Sequence, residues 1–64
     1  MSHTGEALLT VSQVCAELKI SRSTFFEWRR RGHGPVCVLL PGGRLRIRRS
    51  ALDGWLAALQ SPIS

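Results

Sequence analysis

Apolar residues recur along this chain with two different periods, and the change from one to the other divides it into elements. Val11, Val14, Cys15 and Leu18 fall at i, i+3, i+4 and i+7, which predicts a helix buried along one side. Thr10 and Gln13 form a capping box just ahead of it, with Leu9 placed to staple onto Val14, so the helix starts at Val11 and ends near Lys19. Only Lys19 and Ile20 separate it from a second segment with specified ends, Ser21 to Gly32. Ser21 can accept a hydrogen bond from a free amide of the first turn, and Gly32 can take the left-handed conformation that closes a helix. Between them Phe25 and Trp28, following Ile20, share an inward face, and Arg22, Ser23, Phe26 and Arg30 gather on the outward one. Two short helices joined by a tight turn with an apolar residue in it make a helix-turn-helix, in which the first helix holds the second out toward a major groove.

Beyond Gly32 the sequence His33-Gly34-Pro35 stops the helix, and the period drops to two. Val36 to Leu40 is a short apolar run, Pro41-Gly42-Gly43 signals a turn, and Arg44-Leu45-Arg46-Ile47-Arg48 alternates strictly, which predicts a β-hairpin. Alternation sends Leu45 and Ile47 to one face and Arg44, Arg46 and Arg48 to the other. Ser50 and Asp53 suggest a second capping box, opening a final helix with the stripe Leu52, Trp55, Leu56 and Leu59. Gly54 weakens that helix by up to about 1 kcal/mol relative to alanine, so close packing against another element is the expected reason for it. Trp28 and Trp55 lie on apolar stripes and are read as core anchors rather than platforms for stacking bases. The expected fold is α+β, mainly α: a winged helix-turn-helix with a two-stranded wing and a closing C-terminal helix. Residues 1 to 7 are expected to form a disordered N-terminal tail, 8 to 60 the winged helix-turn-helix domain, and 61 to 64 a C-terminal tail.

Composition narrows the partners. A 64-residue chain buries only about 60% of the surface that its unfolded form exposes, which leaves one marginal domain and no room for a catalytic cleft. No apolar run approaches the roughly 20 residues needed to cross a bilayer, and the start has no signal-peptide pattern, so a cytoplasmic, nucleoid-associated setting without membrane contact is expected. The net charge is +5, and eight of the nine basic residues are arginine, whose fork matches phosphates and guanine edges. Charge alone would serve any acidic surface; where the arginines fall decides for nucleic acid. Arg29, Arg30 and Arg31 complement the negative end of the helix dipole, which does not account for the outward Arg22 or Phe26. Three like charges in line on one strand face repel unless a polyanion is present. Cys15 and Cys37 have no metal-ligand spacing and are read as buried free thiols. His3 and His33 are isolated, and the four carboxylates are scattered, so no paired acid and base, metal or cofactor is expected, and no enzyme.

The order helix, turn, capped basic helix, wing with Gly42-Gly43 at its tip, closing helix resembles the small winged helix-turn-helix proteins of the excisionase family. It is also similar to the DNA-binding half of MerR-type regulators and to BldC-like developmental regulators. The residues that carry the resemblance are Leu8-Leu9-Thr10-Val11, Ile20-Ser21-Arg22-Ser23-Thr24, the Phe25-Phe26 pair with Trp28, Gly32, Pro35, Gly42-Gly43-Arg44, Arg46-Ile47-Arg48-Arg49-Ser50 and the Leu52/Trp55/Leu56 stripe. The resemblance implies binding to double-stranded DNA through Arg22, Ser23, Thr24, Phe26, Glu27 and Arg30 of the recognition helix, with Arg44, Arg46 and Arg48 of the wing on phosphates or in the minor groove. Two positions depart from the usual pattern. Glu27 stands where a basic or neutral residue is frequent, and either accepts from a cytosine amino group or pairs with Arg30 or Arg31. Phe26 replaces a hydroxyl-bearing aromatic, leaving contact with a thymine methyl. MerR-type regulators continue into a dimerisation helix and effector region, whereas this sequence closes after the wing, so no small-molecule effector is expected. The leading expectation is an excisionase that binds repeated sites beside copies of itself, bends DNA and directs an integrase, a further expected partner, toward excision of a phage or mobile element. The alternatives are a small transcriptional regulator and, from a different class, a protein-binding adaptor.

Overall fold

The computed structural model describes residues 7–60. In chain order they form β1 (Leu8–Thr10), α1 (Val11–Leu18), α2 (Arg22–Arg30), β2 (Val38–Leu40), β3 (Arg44–Arg48) and α3 (Arg49–Leu59). This is the winged helix-turn-helix the sequence predicts, with one addition: the wing is part of a three-stranded antiparallel sheet of order β1-β3-β2. Leu8–Thr10 is too short for alternation to announce it as a strand. It exists because β3 offers an edge, with Leu8 opposite Arg48, Leu9 opposite Ile47 and Thr10 opposite Arg46. On the other side Val38, Leu39 and Leu40 face Arg46, Leu45 and Arg44. Arg46 is therefore the position of β3 flanked by partners on both sides.

Local chemistry fixes most helix ends. Thr10 and Gln13 make the reciprocal capping box of α1, at 2.9 and 3.0 Å. Ser21 caps α2 by accepting from the Thr24 amide at 3.1 Å. Both helices then close in the same way, with a residue in the left-handed region and a six-to-one hydrogen bond. In α2 the residue is Gly32 (φ 76), with His33 N–H donating to Trp28 O at 2.8 Å. In α1 it is Lys19 (φ 59), with Ile20 N–H donating to Cys15 O at 3.0 Å. The hairpin turn carries Pro41 at its second position and Gly42 (φ 94) at its third, closed by Gly43 N–H to Leu40 O at 3.0 Å, the residue pattern of a type II turn.

The start of α3 differs from the expected Ser50/Asp53 box. β3 runs directly into the helix, Arg48 occupies the cap position without a side-chain cap bond, and Ser50 already lies inside α3. A tertiary contact does part of the cap's work: Arg49 N–H donates to Ala7 O at 2.9 Å. Ala7, assigned by sequence to the tail, thus takes part in the fold, while residues 1–6 and 61–64 of the expected tails lie outside the described residues.

Val11, Val14 and Cys15 from α1, Phe25 from α2, Ile47 from β3 and Leu52 from α3 form the buried core, with Leu9, Leu18, Ile20, Cys37, Leu45, Trp55 and Leu56 packed around it. Four details depart from expectation. Leu59, the last residue of α3, is 62% exposed. Val36 is 76% exposed and β2 begins only at Val38, since the chain is still turning after buried Pro35. Cys37 is half-buried where Cys15 is fully so. A side chain at Gly54 would meet nothing within 4 Å, so no close approach accounts for that glycine.

Candidate nucleic-acid interface

Helix α2, the expected recognition helix, turns Phe25 into the core and Phe26 out beside it, the two rings edge-on at 5.4 Å. Phe26, 39% exposed, is therefore held from behind by the core. Arg22, the first residue of α2, lies with its guanidinium 5.9 Å from the Phe26 ring centre and donates from Nη1 to the Ser12 hydroxyl of α1 at 2.8 Å. Ser23 is exposed on the same turn. Thr24 is drawn into the cap: its hydroxyl accepts from Ser21 Oγ at 3.1 Å. Glu27 pairs with both arginines that the sequence offered it, accepting from Arg30 Nη2 at 2.6 Å and from Arg31 Nε at 2.7 Å. Arg30 is thereby tied back along its own helix.

In the wing the three arginines do not stand as an even row. Arg44 and Arg48 are exposed, whereas Arg46, at the centre of the sheet, is half-buried and donates from Nη1 to Leu45 O at 2.8 Å. Arg46 instead helps line an open cleft of about 410 Å³ in which the first turn of α1 (Thr10, Ser12), the recognition helix (Arg22, Phe26) and the wing (Arg44, Arg46) meet. The fold thus brings four of the predicted site residues, Arg22, Phe26, Arg44 and Arg46, to one place. Ser23, Thr24, Glu27, Arg30 and Arg48 do not line this cleft.

Ser12 was not legible as a site residue, because its bond to Arg22 joins two helices and follows no local spacing. Arg49 was hidden in the basic run 44–49, yet its role differs from that of its neighbours. It grips Glu17 of α1 with two hydrogen bonds, at 2.7 and 2.8 Å, and Asp53 one turn along α3 at 3.2 Å. The Arg49/Asp53 spacing is a readable i, i+4 pair; Glu17 is not. The Arg49 hydrogen bonds hold the Glu17 carboxyl below its ordinary range, and the same bonds, to Glu17 first and Asp53 second, raise Arg49. All three described carboxylates, Glu17, Glu27 and Asp53, are consequently paired with arginines outside the cleft.

A family model described as a helix-turn-helix domain matches residues 8–60, and the chain belongs to that family. No curated protein and no solved structure shows a significant match to it. The protein is a small helix-turn-helix protein that binds DNA sequence-specifically. No helix among the described residues is long and apolar enough to cross a membrane.

Proposed function

We propose that this protein is an excisionase-type accessory factor, a non-catalytic protein that occupies repeated sites on duplex DNA, bends it and directs an integrase toward excision. The observation that carries the reading is the junction of recognition helix and wing around one cationic cleft, which puts groove reading and backbone gripping into a single small module. Such a module buries roughly 600 to 1,000 Å² on DNA, which is little for a discriminating site. Specificity then comes from neighbouring copies on adjacent repeats, the arrangement a DNA-bending recombination factor uses. The matched family includes excisionase-like proteins, which supports the same reading.

The test is a mobility titration on a fragment from the gene's own neighbourhood and on random duplex, followed by an excision assay with the neighbouring integrase. Successive discrete shifts about a hundredfold tighter than on random duplex, a salt slope of about −4 to −6 for five to six neutralised phosphates, and stimulated excision are expected. Specific binding that leaves excision unchanged overturns the recombination role in favour of transcriptional control. Weak binding erased by salt on both duplexes removes both roles and points to a protein partner.

A further inference from the structure

The resemblance implies that Arg22 binds DNA from the recognition helix, without saying whether it meets a base or the backbone. We infer that Arg22 is a ligand for one backbone phosphate, that the cleft it shares with Arg44 and Arg46 is the seat of that phosphodiester, and that Ser12 is the positioning residue that holds Arg22 there. The inference rests on the reading of the protein as a duplex-binding protein and assigns how the interface is divided.

Three observations carry it. The first is direction: Arg22 Nη1 is engaged by Ser12 at 2.8 Å, so the side chain lies across toward α1 and into the cleft that Arg44 and Arg46 line. Nη2 and Nε stay available for the two free oxygens of a phosphodiester. The second is charge. Among the described residues no acidic side chain lines the cleft, neither α1 nor α2 has one in its first turn, and the carboxylates are all spent on Arg30, Arg31 and Arg49. Three guanidinium groups from two elements therefore share an open space with no counter-ion among the described residues, and a base edge brings no charge to relieve them, whereas a phosphodiester does. The third is pre-organisation: Phe26 at 5.9 Å on one side and Ser12 on the other restrict the long Arg22 side chain before DNA arrives.

The division has a consequence for specificity. Phosphate ligands weaken all duplexes alike when removed, and base contacts change the ratio between them. Discrimination at this interface then falls to the exposed Phe26 and Ser23, with Arg22 fixing the register.

The experiment is fluorescence anisotropy at several salt concentrations, on the neighbourhood fragment and on random duplex, with the full-length protein and its Arg22→Gln, Arg22→Lys, Ser12→Ala, Ser12→Thr and Phe26→Ala variants, each first checked by thermal melting. Arg22→Gln is expected to weaken both duplexes by about tenfold, to leave their ratio unchanged and to lower the salt slope by about 0.9. Arg22→Lys keeps the slope. Ser12→Ala gives a smaller uniform loss without a change in melting temperature, recovered by Ser12→Thr. Phe26→Ala lowers the ratio. A single methylphosphonate moved along the cognate strand should find one position where neutralisation weakens the wild type clearly more than Arg22→Gln, in which only Arg44 and Arg46 still meet that phosphate. Loss by Arg22→Gln on the cognate duplex alone, with an unchanged slope, overturns the phosphate assignment and makes Arg22 a base reader. Absence of a specific complex with the wild type itself overturns the underlying reading, and is seen before any variant is measured.

Discussion

Arg49 and Glu17 meet face to face across the gap between α3 and α1, two parallel hydrogen bonds at 2.7 and 2.8 Å joining helices far apart in sequence. Because the bonds hold the Glu17 pKa below its ordinary value, the pair's contribution is complete above the unfolded pKa, about pH 4 to 5, and is lost as pH falls through the lower folded value. The melting temperature of the wild type should therefore drop on acidification in that window, and Glu17→Gln should flatten that part of the curve while leaving its own neutral-pH melt only slightly lower, since both side chains are solvated. An unchanged acid limb in Glu17→Gln would show that the pair is not what acid breaks.

Trp55 links the closing helix to the end of the recognition helix in two ways. Its ring lies 5.7 Å from that of Trp28, and its Nε1 donates to His33 O at 2.9 Å. Trp55→Phe should keep most of the packing and lose about 1 kcal/mol with the hydrogen bond. Trp55→Ala should cost about 2–3 kcal/mol, a large share of the few kcal/mol that a core of this size supplies. Urea titration with equal slopes for the variants distinguishes the two steps.

Two positions carry backbone or propensity costs with no packing to justify them. Lys19 sits in the left-handed region where Gly32 closes the sister helix, and Gly54 stands mid-helix in open space. Lys19→Gly and Gly54→Ala should each stabilise the domain by about 0.5–1 kcal/mol and combine nearly additively, raising the melting temperature by several degrees. Differential scanning calorimetry of the single and double variants checks both the sign and the sum.

Glu27 restrains Arg30 and Arg31 with bonds of 2.6 and 2.7 Å. Removing its charge with Glu27→Gln should raise affinity for random duplex several-fold and steepen the salt dependence, because two guanidinium groups become available for phosphate. If the variant instead loses affinity for the cognate site alone, Glu27 leaves its arginines on binding and reads a cytosine.

Some of this was decided within short stretches of sequence. The capping box at Thr10/Gln13, the Ser21 cap, the Gly32 stop, the Pro41-Gly42 turn and the two changes of apolar period are interactions between residues a few positions apart, and they set three of the six elements, α1, α2 and β3, nearly to the residue. Contacts between distant stretches were legible nowhere along the chain. β1 needed an edge that β3 provides, the start of α3 was met by the Ala7 carbonyl, and Gly54 proved free of the close packing its position suggested. The same division runs through the interface. Residue type and helical or strand spacing marked Arg22, Phe26, Arg44 and Arg46 as outward-facing, since that depends on periodicity alone. That they converge on one cleft with Ser12, and that Arg49 is drawn into a bridge to Glu17, depends on which carboxylates and hydroxyls the fold carries within 3 Å of each guanidinium, and only the tertiary structure could assign those partners, whereas the Glu27–Arg30 pair was readable from its spacing.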